Sequence, residues 1–311
     1  MIGAVELGLI YGVMALGVYL TFRVLQFPDL TVDGSFTMGA AVAAAMITGG
    51  QNPVLATLAA GGAGLVAGAI TGVLHTKGRI DGLLAGILTM IALWSVNLRI
   101  MGGANVPLLR EETLMTPLRD AELLGRTWIG VLIFFASVFV LKLVVDWFLS
   151  TDLGLAIQAT GNNKQMIGSL GANTDGTTIL TLALSNGLVG LCGALVAQYQ
   201  GFADISMGIG LILVGLASVI LGQAVLGQRF IFLASLAVVV GAVLYRIIIF
   251  AALQVGLNPN DMKFITAALV VIALILPRWG FLKRVPSWRD LFGGRTRAQH
   301  TEPVAREKAE V

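Results

Sequence analysis

The sequence predicts an all-α fold, a polytopic transmembrane bundle of about 8–10 spans. Three observations predict it. Of the 311 residues, 57% are hydrophobic and only 12% charged, against roughly 25% charged in a soluble domain. Mean hydropathy is +0.88. Runs of about twenty mostly apolar residues recur along the whole chain, each able to cross a hydrocarbon core of roughly 30 Å at about 1.5 Å per residue. A net charge of +3 and a pI near 9.2 do not point to nucleic acid. The positive residues sit in short loops and the C-terminal tail, where membrane topology accounts for them.

The first span is expected at 3–22. It has no basic leader and carries Glu6, so it reads as a span and not as a cleaved signal. The second, 35–49, is short and follows the break FPDLTVDG; it reads as a half-helix with an unwound lead-in. Further spans are expected at 53–74, 82–101, 127–148, 176–198, 208–226, 230–250 and 262–277. Gly64, Gly68 and Gly72 share a helical stripe, and Gly187, Gly190 and Gly193 make a similar one. Small residues so spaced indicate close helix contact, within one chain or between copies. The single cysteine, Cys192, lies in an apolar run and reads as a buried, inert thiol. Arg99, Lys142, Asp146 and Arg246 lie near enough to span ends to be expected to snorkel to the interface.

Two polar stretches interrupt this pattern. The first is PDLTVDGSFTMGA, in which Pro28 and Gly34 bracket a segment expected to depart from ordinary helix. Unwound backbone at membrane depth is tolerated only where it lines a cavity or is buried in protein. Asp29, Thr31, Asp33, Ser35 and Thr37 would then offer polar groups to a wet path, with Asn97 and Asn186 as candidates from other spans. Two other readings stay open: an interfacial loop with Asp33 capping the next helix, and interhelical hydrogen bonding by the two asparagines.

The second stretch is TDLGLAIQATGNNKQMIGSLGANTD, residues 151–175. Its composition suits a short helix, a Gly turn and a second short helix on the membrane surface. A simple connection needs a handful of residues, so a segment of this length is expected to dock onto a partner. Gly154, Ala159 and Asn162 or Asn163, followed by Gly171-Ala172-Asn173-Thr174-Asp175, resemble the cytoplasmic loop of ABC importer permeases of the branched-chain amino-acid and ribose group. The Asp29-Leu30-Thr31 segment resembles that group's D-L-S/T-V-G-S element, and Asp33 makes the match partial.

That resemblance implies a type II-like ABC importer architecture with inverted repeats. It implies a permease domain at 1–284 with the coupling loop at 151–175, and Gly154, Ala159, Asn162, Asn163, Met166, Gly171 and Asn173 at the ATPase contact. It also implies two ATP-binding subunits, an extracytoplasmic substrate-binding protein and a second permease copy, in a homodimer by preference. The site would be the bacterial inner membrane. With loop 151–175 placed in the cytoplasm, 13 of the 20 basic residues fall on that side, including the C-terminus. The tail 285–311 is polar and is expected to be a disordered cytoplasmic extension. A small zwitterionic or neutral polar solute suits a path with few fixed charges, and the resemblance implies an amino acid by preference.

A faint internal echo supports inverted repeats. Asp29-Leu30-Thr31 and Asp204-Ile205-Ser206 each precede a Gly-rich span, and Ala67-Gly68-Ala69-Ile70 parallels Val240-Gly241-Ala242-Val243 at nearly the same offset. No catalytic residue, metal site or cofactor is expected: no G-x-x-x-x-G-K-[ST] occurs, and His75 and His300 are the only histidines. The alternatives are an ion-coupled secondary transporter, with Glu6 and Asp33 the only candidate relay acids, and a membrane scaffold.

Overall fold

Apolar side chains on nearly every helical face leave the backbone to be satisfied within each segment, and helices do this. The computed structural model describes residues 1–125, 127–227, 230–254 and 262–275. Among the described residues six helices are long and apolar enough to cross a membrane: α1 (Ile2–Val18) with its π-helical continuation Tyr19–Val24, α3 (Pro53–Thr76), α4 (Gly82–Met101), α6 (Trp128–Ser150), α9 (Thr174–Gln200) and α11 (Ile231–Gln254). Three shorter apolar helices, α2 (Thr31–Thr48), α10 (Leu211–Leu226) and α12 (Met262–Ile275), stand where the second, seventh and ninth spans are expected. The chain is a multi-pass, all-α membrane protein. Residues 1–274 form one compact unit; the tail 285–311 and the end of the ninth span lie outside the described residues.

Shorter elements mark two opposite ends. At one end, α5 (Thr116–Asp120) and the two-stranded sheet close over the bundle. Strand β1 (Asn105–Pro107) pairs antiparallel with β2 (Phe202–Asp204), Asn105 opposite Asp204. Gln198 fastens this connection, accepting from the Leu114 amide at 3.0 Å and donating to Thr57 Oγ1 at 2.8 Å. At the other end lie α7 (Asp152–Asn162) and α8 (Lys164–Ser169). These are called the hairpin end and the loop end below.

The two glycine stripes meet each other. An ideal Cβ at Gly64 would strike the carbonyl of Asn186, one at Gly68 that of Leu182, and one at Gly190 the carbonyl of Ala60, at 2.7 Å. The contact therefore lies within one chain, α3 against α9. Without a hydrophobic drive between helices in lipid, such close backbone approach supplies the van der Waals contact that holds them. The mirror arrangement joins α11 to α1: a Cβ at Gly8 would meet Val243 Cα at 2.8 Å, and one at Gly12 would meet Val239 Cγ1 at 3.3 Å. Thus the third helix of the first half packs on the first helix of the second half, and the reverse. Gly222 and Gly241 likewise bring α10 against α11. This exchange is what an inverted repeat of α1–α4 by α9–α12 requires, and it places Gly68 and Gly241 in equivalent helices.

Three of the four charged residues depart from the expectation of snorkelling: Lys142, Asp146 and Arg246. Lys142 is buried in α6, its ammonium 2.5 Å from Asp146 one turn on and 3.0 Å from the ring centre of Phe232. Its approach to Asp146 is an ion pair whose angles are not those of a hydrogen bond. Ser235 of α11 donates to the same carboxylate at 2.5 Å. The cation has a fixed anion beside it and so stays inside. Arg246 also stays inside, its guanidinium 3.8 Å from the ring centre of Tyr11. Arg99 is exposed, as a residue reaching the interface would be.

Gly68→Ala is expected to lower stability by about 1–3 kcal/mol through overpacking, while Gly62→Ala, which meets nothing within 4 Å, should be neutral. Thermal unfolding of the two variants in one detergent checks this. Asp146→Leu alone should cost about 3–5 kcal/mol by leaving Lys142 unpaired, and Lys142→Met with Asp146→Leu should restore most of it. A double-mutant cycle read by melting temperature tests the pair.

Candidate functional site

The backbone leaves helical geometry at the end of α1. The π-helical turn closes with the Leu25 amide on the Leu20 carbonyl at 2.9 Å, and Gln26 takes a φ of 56°, strained for a residue with a side chain. The unwound lead-in is Leu25–Leu30, and helix resumes at Thr31. The departure from helix is therefore shorter than Pro28 and Gly34 suggest. Gly34 is helical, and its missing side chain lets Leu93 and Met90 of α4 approach.

Helix α2 starts deep. Asp29 Oδ1 accepts from the Thr31 amide at 2.9 Å, and its Oδ2 accepts from Asn186 Nδ2 at 2.7 Å. Asn186 is the thirteenth of the 27 residues of α9, so α2 begins about halfway along a full span. From the opposite side, Asp204 Oδ1 accepts from the Ser206 amide at 2.8 Å in the same Asp-x-Ser/Thr turn. The Ser206 hydroxyl donates to Asp204 as well, and these bonds hold that exposed carboxyl below its usual range. The chain then runs inward and α10 begins. The two half-helices meet start to start. Asp33, in the first turn of α2, accepts from the Gly210 amide at 2.7 Å and the Ile212 amide at 2.9 Å. It thus caps α10 and not its own helix, whose first amide is taken by Asp29. A carboxylate at a helix N-terminus satisfies orphan donors and meets the positive end of the helix dipole.

A cavity of about 390 Å³ opens beside this junction, lined by Asp33, Gly34, Thr37, Trp94, Ser95, Asn97, Ile205 and Ile209. Asn97 donates to the Gly34 carbonyl at 3.2 Å and keeps a buried Oδ1 without a partner. Of the seven residues expected on a path, Asp33, Thr37 and Asn97 line this cavity. Asp29, Thr31 and Asn186 form a separate buried network between α2, α3 and α9, extended by Thr31 Oγ1 to Thr71 Oγ1 at 2.8 Å. Ser35 is buried with its hydroxyl unpartnered, away from the cavity wall. Sequence reading missed Trp94, Ser95 and Ile209. It also missed the capping of α10, for which Gly208-x-Gly210 before an apolar run was the one available sign.

Loop 151–175 folds as two short helices, but the break falls at Asn163 and not at a glycine turn. Asn163 is extended (φ −156°, ψ 91°) and its side chain caps α8 through the Met166 amide at 2.9 Å. Gly154 is buried against the last turn of α6, where a Cβ would strike the Phe148 carbonyl. Asn173 caps α9 through the Gly176 amide at 2.9 Å. Gly171 makes the turn between α8 and α9 at φ 85°, a value that favours glycine. Ala159 is half-buried; Asn162 and Met166 are exposed. The helices are held from below: Ile157 and Thr160 are buried, and Gln158 donates to the Leu149 carbonyl at 2.9 Å. A Cβ on Gly161 would meet the Val24 carbonyl, so α7 rests on the end of α1 just before the unwound lead-in. The outward face carries Leu153, Leu155, Met166 and Leu170, of which Leu170 is 71% and Met166 58% exposed. Leu170 was missed, although a leucine in a polar loop was legible.

The model of the family described as branched-chain amino acid transport system / permease component matches residues 1–275. The tyrosine transport system permease protein of Clostridioides difficile is 44% identical over 268 residues, 86% of this chain and 87% of that one. The ribose import permease protein RbsC of Escherichia coli is 29% identical over 217 residues, 68% of this chain and 64% of that one. The galactofuranose transporter permease protein YtfT of E. coli is 29% identical over 84% of this chain and 75% of its own. No solved structure matches. With that family model matched over residues 1–275 and a relative 44% identical over 86% of its length, the chain belongs to the family of branched-chain amino-acid transport permease components.

Proposed function

We propose that this chain is the membrane subunit of an ATP-driven importer in the bacterial inner membrane, carrying a small polar solute. The observation that carries this reading is the loop end. A segment locked to the bundle by Ile157, Thr160, Gln158 and Gly161 still presents Met166 and Leu170 outward. Apolar side chains on a rigid polar loop are suited to a groove in another protein, here an ATP-binding subunit bound to each of two permease copies. The loop end is then cytoplasmic, and the hairpin end faces an extracytoplasmic substrate-binding protein.

Movement of the docking helices reaches the path by two short routes. One residue, Thr151, separates α7 from α6, and α6 is tied to α11 by Asp146 and Ser235. The other route runs from Gly161 to Val24, then through the strained turn at Gln26 to α2, whose Asp33 grips α10. A rigid shift of α7 therefore acts on the junction of the half-helices beside the cavity. Packed elements with two discrete arrangements transmit such shifts.

An amino acid is the preferred solute. The 44% identical relative is named for tyrosine transport, and the cavity offers the neutral Asn97 Oδ1 and the Trp94 ring, while the charge of Asp33 is occupied by α10. Ion-coupled transport is less well supported. It needs acids free to exchange a cation, and each candidate is held by fixed donors: Glu6 by the Gly125 amide and the Tyr199 hydroxyl, Asp29 by Thr31 and Asn186, Asp33 by Gly210 and Ile212.

Purified from its native membrane, the chain should bring an ATP-binding subunit with it. Met166→Asp with Leu170→Asp should abolish that association and lower ATP-dependent uptake at least about tenfold, while stability changes by about 0.5 kcal/mol, as at other exposed sites. Intact uptake in the double variant, or uptake driven by a sodium or proton gradient without ATP, would remove the proposal.

A further inference from the structure

We infer that Arg246 is the anion-binding group of a second solute site beside the half-helix junction, and that the group it takes is the carboxylate of an amino acid. The inference rests on the amino-acid reading above and adds the site that recognises the solute's charge.

A cavity of about 260 Å³ lies between α10, α11 and α12, lined among others by Ile209, Gly210, Val214, Tyr245, Arg246 and Thr266. Ile209 also lines the cavity of Asp33 and Asn97, so both spaces adjoin the start of α10. Arg246 is the sixteenth of the 24 residues of α11, well inside the span. The missing side chain of Gly8 brings α1 within 3.3 Å of Arg246 Cβ, measured from an ideal Cβ, and this seats the guanidinium over the Tyr11 ring. The ring attracts the cation but supplies no negative charge.

Among the described residues no carboxylate forms an ion pair with Arg246, and its Nε is buried without a hydrogen-bond partner. Another polar pair on the cavity wall is engaged with itself: the Tyr245 hydroxyl and Thr266 Oγ1 are 2.7 Å apart. The contrast with Lys142, which has its own aspartate, is direct. An arginine within a span is costly and is retained where it meets a partner or a wet path. A guanidinium presents a planar fork of donors that matches a carboxylate in bidentate fashion. A membrane phosphate shares this chemistry, so the test separates the two sources.

Leu213 lines the same cavity, is 38% exposed, and in the variant Leu213→Cys supplies a thiol there; native Cys192 is fully buried and serves as the unreactive control. The probe is an equimolar mixture of L-amino acids, compared with the corresponding mixture of their amides, on the whole transporter. The amino acids are expected to slow maleimide labelling of the introduced thiol at least about threefold, the amides not at all. Arg246→Gln should abolish the protection, and Arg246→Lys should retain part of it. Equal protection by acids and amides, protection that survives Arg246→Gln, or none with the wild-type arginine overturns the inference. So does protection that appears only in phosphatidylglycerol vesicles and is indifferent to amino acids. Should Arg246→Gln fail to fold, the comparison of acids with amides decides alone. Labelling needs no ATP, so failure here is distinct from failure to find an ATP-binding partner.

Discussion

Everything in this bundle has to accommodate two helices that begin inside it. A helix start leaves amides without partners, and hydrocarbon offers none. The solution is mutual: Asp33 of α2 accepts from the first amides of α10, and Asp29 supplies the first acceptor for α2. Removing water from these groups makes each bond worth more and its loss more costly. Polar residues that look scattered along a greasy chain are thereby gathered to one depth, and the cavities open there because the backbone is broken there.

Glycine sets how closely the two halves can interlock around that junction. The stripes on α3 and α9 bring carbonyls to where side chains would be, and Gly8 and Gly12 do the same for α1 and α11. Each half therefore borrows its neighbour from the other, and a tilt of one is felt by both. On the proposed function, such an arrangement lets a small displacement at the loop end reach the middle of the membrane. The ties between α6, α7, α11 and the end of α1 give it short, stiff routes.

Charge inside the span is handled in two ways. Lys142 is neutralised beside Asp146 and serves to fasten α6 to α11. Arg246 is steadied by an aromatic ring and keeps a buried donor unspent. By their position near span ends the two look alike in sequence. What distinguishes them is whether a carboxylate from the chain reaches them, and that depends on which helices become neighbours.

The order and approximate extent of the helices were legible in the residues alone, because hydropathy and span length are local properties and lipid imposes one solution on them. A short second helix after an unwound lead-in (though it starts at Thr31 and not at 35), the paired short helices of the loop and the echo of Asp-x-Thr with Asp-x-Ser were also legible, being local patterns. The partner of Asp33, the meeting of the two glycine stripes within one chain, and the burial of Lys142 were not. Nor was the division of Asp29, Thr31 and Asn186 from Asn97. Each of these joins residues tens to hundreds of positions apart. One sequence carries the donors and acceptors of such bonds but not their pairing; the packing of α2, α9, α10 and α11 decided it by bringing one acceptor to each buried donor it could reach.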